Sequence, residues 1–106
     1  MTNTTDPDDW RNEATAELFD VILSLEDRDQ AAAFFRDLCT RRELEEMSRR
    51  WRVVRMLAAG TSYRQIAAET GVSTATITRI NQWLRHGRGG YHEALVRMHL
   101  QPEESA

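Results

Sequence analysis

Two short clusters in the sequence carry side chains suited to nucleic acid. The first is Ser73, Thr74, Ala75, Thr78 and Arg79, inside GVSTATITR. A threonine offers a hydroxyl to a base edge or a methyl to thymine, and an arginine can make paired hydrogen bonds to guanine. The second is Tyr63 with Arg64, where a helix start would combine backbone N–H groups with a cation and so suit a phosphate. The bland reading of the threonines is simple solvent exposure. Other chemistry finds less support. His86, His92 and His99 lack the one-turn spacing of a helical metal pair, and Cys39 is too distant to complete a familiar ligand set, so no metal site is predicted. GRGG at 87–90 has no preceding strand and no Lys-Ser/Thr pair, which makes it a turn rather than a phosphate loop. No nucleophile with a partnered base can be identified, so the chain does not read as an enzyme, and no cofactor is implied.

Both clusters fall within Ser62 to Leu84, a stretch that reads as a helix-turn-helix. Ser62 with Gln65 forms a capping box for the first helix, and Gly71 supplies the left-handed residue that ends it. Ser73 caps the second helix. Ile66, Val72, Ile77 and Ile80 fall on the facing surfaces of two crossed helices, with Ala67 small at their approach. In this motif the second helix enters the major groove, so the Thr74 to Arg79 region is the expected reading surface.

Two helices of this length cannot be stable alone. Around them the sequence predicts a helix from Asp8 or Asp9 to about Leu25, striped by Trp10, Ala14, Leu18, Val21, Ile22 and Leu25. A second runs from Gln30 to Leu38 and carries Ala32, Phe34, Phe35 and Leu38. Thr40 and Glu43 form a capping box for the longest helix, which reaches about Ala59 and stops at Gly60. Its expected buried face is Leu44, Met47, Trp51, Val54, Leu57 and Ala58. HGRGG is a turn, followed by a last helix from about Tyr91 to Leu100 with Tyr91, Leu95 and Met98 inward. Residues 1–7 are expected to be disordered, 8–100 to form one all-α domain, and 101–106 to be an acidic tail.

The 106 residues carry a net charge of −3, which looks wrong for a nucleic-acid partner until the chain is divided. Up to Glu46 there are thirteen acidic residues against five arginines; from Met47 to His99 there are nine arginines against Glu69 and Glu93. The half with the helix-turn-helix is the basic one, as duplex DNA requires. A single cysteine excludes an intramolecular disulfide, the N-terminus has no signal-peptide pattern, and no apolar run can span a bilayer, so the expected location is cytoplasmic. The apolar N-terminal stripes exceed what a small helical monomer needs, and a homodimer core is their expected use. The alternative is a core formed within one chain.

The order of long helix, short link, helix-turn-helix and final helix resembles the tryptophan repressor, and most closely its TrpR-related relatives of the YerC/YecD type. The resemblance covers about Leu38 to Leu95 and is strongest over LCTRRELEEMSRRWRVVRML and GVSTATITR. It implies an all-helical, intertwined homodimer that presents two reading heads to a palindromic operator. It also implies an effector pocket at Thr40, Arg50, Thr76 and Arg79. The family repressor has glycine where this chain has Ile80 and serine where it has Trp83. Two large side chains on the second helix would fill the indole space, so L-tryptophan is not the expected switch, although the arginines could receive another anion. The function this implies is sequence-specific transcriptional regulation, as a repressor. A helix-turn-helix used as an adaptor to another transcription component is the competing reading.

Overall fold

The computed structural model describes residues 9–100. By internal contacts the chain divides into two units, Met1–Thr40 and Arg41–Ala106. The described residues form six α-helices and no strand.

The first unit holds α1 (Glu13–Leu23) and α2 (Arg28–Leu38). α1 starts later than the acidic run at Asp8 and Asp9 suggests; Asp8 lies outside the described residues. Asn12 is the cap: its side chain accepts from the Thr15 N–H at 2.9 Å while the Thr15 hydroxyl oxygen accepts from the Asn12 N–H at 2.9 Å. Asp9 instead accepts from the Nε of Arg11 at 3.0 Å. Trp10 therefore precedes the helix and packs edge-on against Phe19, with ring centroids 5.8 Å apart. α2 begins two residues before Gln30, because Asp27 accepts from the Gln30 N–H at 2.8 Å and so caps the preceding turn. Phe34 and Phe35 make a second edge-on pair. Neither helix has a fully buried residue: Leu23 is 82 % exposed, and Phe19, Val21 and Leu38 are also open.

The second unit contains α3 (Arg41–Ala58), α4 (Tyr63–Thr70), α5 (Thr74–His86) and α6 (Gly90–Arg97). α3 packs on α4 and α5, α4 on α5, and α5 on α6. The core is Val53, Val54, Ile66, Ile77, Ile80 and Leu95, all essentially without exposed surface. Val53 was not among the residues expected to be buried. It is buried beside Val54 because α3 has two helical neighbours, which widens its inner face past a single stripe. Met47 is exposed rather than inward. 

The turn chemistry follows the sequence closely. Gly60 and Gly71 take φ of +82° and +76°, the left-handed conformation that favours glycine. Ser62 accepts from the Gln65 N–H at 3.2 Å, but the other half of the box is not made: the Gln65 amide donates to Glu69 at 3.0 Å. Ser73 accepts from the Thr76 N–H at 3.2 Å and starts α5. That helix runs two residues past Leu84, and at its end a Cβ on Gly87 would lie 2.4 Å from the Trp83 carbonyl oxygen, so only glycine fits. α6 ends before the expected Leu100, since His99 turns left-handed at φ +56° and Leu100 donates back to the Leu95 carbonyl at 2.8 Å. Met98 consequently points outward, 62 % exposed.

Candidate nucleic-acid interface

The core fixes α5 by its underside. Ile77 and Ile80 are held among Val53, Val54, Ile66 and Leu95, and this leaves Ser73, Thr74, Ala75, Thr78 and Arg79 exposed. Thr78 donates its hydroxyl to the Thr74 carbonyl at 2.9 Å. What it presents outward is a methyl group and an acceptor lone pair, so its reach to a base is through thymine methyl or a base donor. Arg79 has no ion pair among the described residues. At the head of α4, Arg64 is exposed and likewise unpaired, whereas Tyr63 is half-buried against the core.

The residues expected in an effector pocket do not all come together. Arg50 and Thr76 line one cavity of about 210 Å³ with Glu46, Arg49, Gly71, Val72 and Ser73. Within it the Arg50 guanidinium lies 3.9 Å from Glu46, and the Ser73 hydroxyl donates to that of Thr76 at 3.1 Å. Ile80 is a core residue on the underside of α5, only 1 % exposed. Trp83 does not join it. It stands on the outside of α5, 54 % exposed, in a separate groove with His86, Arg88 and Tyr91. Arg79 is on the exposed side of the same helix, and Thr40 belongs to the other unit.

Arg49 was not singled out from sequence, yet it is the half-buried arginine of α3 that meets both the turn and a second cavity. In the sequence it is one of six arginines on that helix, and only packing against the turn distinguishes it. No group of three or more His, Cys, Asp or Glu side chains comes together among the described residues, and no described helix is long and apolar enough to cross a membrane.

An all-helical unit with a capped helix-turn-helix whose second helix turns its polar side outward is a helix-turn-helix DNA-binding fold. The chain belongs to the Trp repressor family, a family of DNA-binding regulators: the model of the Trp repressor protein matches residues 13–99. It is similar to the uncharacterized protein YerC of Bacillus subtilis (strain 168), 41 % identical over 99 residues covering 93 % of this chain and 95 % of that protein. The solved structure of a TrpR-like protein from Eubacterium eligens ATCC 27750 superposes with a TM-score of 0.82 at 41 % identity, covering 88 % of this chain and 96 % of that one. A Staphylococcus aureus protein solved as a candidate Trp repressor gives 0.81 at 42 % identity, covering 88 % and 93 %.

Proposed function

We propose that this chain is a sequence-specific transcriptional repressor of the cytoplasm that binds a palindromic operator as a homodimer. The observation that carries the reading is the sidedness of α5. Its apolar side is buried to Ile80, and its opposite side offers Thr74, Ala75, Thr78 and Arg79 on a unit rich in arginine. The open apolar residues of α1 and α2 support the homodimer, since Leu23 stands 82 % exposed and Phe19, Val21 and Leu38 are only partly covered within one chain.

Positioning and reading separate experimentally. Arg64→Ala should weaken all duplexes alike and lower the salt slope by about one unit. Thr78→Ala should cost about 1 to 3 kcal/mol on the preferred site and relax the preference at one base pair. If duplexes selected from a random pool show the same base preference for Thr78→Ala and the parent chain, Thr78 does not read sequence.

L-Tryptophan is not the switch in this reading. Ile80 fills the space beneath α5, and Glu46 competes with any ligand carboxylate for Arg50. Operator affinity measured with and without L-tryptophan should agree. A tenfold tightening, equal to about 1.4 kcal/mol of coupling, accompanied by saturable heat in calorimetry, would contradict it. The cavity at Arg50 and Thr76 is then the place for a different small anionic effector.

A further inference from the structure

The structure distinguishes among the arginines of α3. Arg41 is paired with Glu45 at 3.2 Å and Arg50 with Glu46 at 3.9 Å. Arg49 and Arg52 have neither an ion pair nor a hydrogen bond among the described residues. They stand three apart, on one flank of the helix. Both line a cavity of about 650 Å³ beside Ser48, Glu69 and Thr70, and Arg49 also lines the cavity at Gly71, Val72 and Ser73. Arg49 is thus set against the turn from which the reading helix starts.

We propose that Arg49, with Arg52 one turn further along, is a phosphate clamp on α3 that holds the DNA backbone beside the reading helix. The inference rests on the DNA-binding reading above and adds a third helix to the footprint. A helix about 10–12 Å across fills a major groove about 12 Å wide, so the strands bordering the groove run past whatever flanks the N-terminus of the inserted helix. Here that flank includes the turn and Arg49. A half-buried guanidinium without an acceptor is unfavourable, and a phosphate oxygen supplies the acceptor through a charge-assisted bond. The nearby carboxylates hold neither arginine: Glu45 and Glu46 face Arg41 and Arg50, and Glu69, which accepts from the Gln65 amide, makes no ion pair with Arg49 or Arg52. Such a contact carries affinity and no sequence information.

The test uses the full chain and a duplex selected from a random pool, with a scrambled duplex beside it, and reads affinity against salt. Arg49→Ala should lower the slope of log affinity against log salt by about one unit and weaken both duplexes by the same factor. Arg49→Lys should recover the slope, since a point charge is enough for one phosphate. Arg28→Ala, which removes the same charge from α2, should leave the slope unchanged. Should Arg49→Ala fail to fold, Arg52→Ala is read in its place and is expected to lower the slope in the same way. An unchanged slope in either variant while the parent chain binds normally overturns the clamp and leaves the DNA-binding reading intact. A loss confined to the selected duplex, or an equal loss in Arg28→Ala, also overturns it. If the parent chain binds neither duplex, the DNA-binding reading itself has failed.

Discussion

Replacing Ile80 by glycine should melt the domain rather than open a pocket. Restoring glycine and serine at positions 80 and 83 is the obvious way to recreate a tryptophan response from the family pattern. The structure sets the two substitutions far apart in cost. Ile80 is 1 % exposed among Val53, Val54, Ile66, Ile77 and Leu95. Truncation of such an isoleucine to alanine costs about 2–5 kcal/mol through lost transfer energy and the cavity left behind, and glycine in a helix interior adds about 1 kcal/mol. Domains of this size are stable by only about 5–15 kcal/mol, and each kcal/mol lowers the melting temperature by roughly 4–8 °C. Thermal melts followed by helical circular dichroism should therefore fall by tens of degrees for Ile80→Gly and far less for Trp83→Ser. A drop of only a few degrees for Ile80→Gly would remove Ile80 from the core.

The second large effect concerns assembly. The 12.3 kDa chain should sediment with twice that mass. α1 and α2 contain no fully buried residue, and a stable interface removes about 800 Å² per partner from water. Phe19→Asp combined with Leu23→Asp places two charges in that apolar surface and should yield a single-chain mass at every concentration. The helices from α3 to α6 should keep their structure, because the core residues lie on α3, α4, α5 and α6. A parent chain that sediments as a monomer at high concentration would contradict the homodimer.

The parts of this fold that local chemistry decides were legible in the sequence. Gly60 and Gly71 are left-handed where the helix stops demanded it, Ser62 and Ser73 cap where they were expected, and Ile66, Ile77 and Ile80 form the crossing. The misses lie where two signals compete or where tertiary packing decides. At the start of α1 the acidic run and the Asn12/Thr15 box both resemble a helix start; the box prevails because it satisfies two backbone groups reciprocally. Trp10 fits the helical spacing yet lies before the helix. Trp83 follows Ile80 by three residues, a rotation that carries it past the edge of the buried face, and spacing alone did not place that edge. Met98 was assigned inward by a periodicity that the left-handed His99 ends. In the candidate interface, exposure of Thr74, Thr78 and Arg79 followed from the position of the caps, whereas the distinction between Arg49 and Arg50 needed the turn packed against α3.

The measurement closest to the central claim is binding of the parent chain to duplex DNA as salt is varied. Each neutralised phosphate contributes about −0.9 to the slope of log affinity against log salt. With two reading heads, each placing Arg64, Arg49 and Arg52 at the backbone, the expected result is a slope of several units for any duplex, together with an added, sequence-dependent gain for the selected one. Absence of binding at low salt, with the chain folded, would contradict a DNA-binding repressor and leave the helix-turn-helix as a surface for another protein.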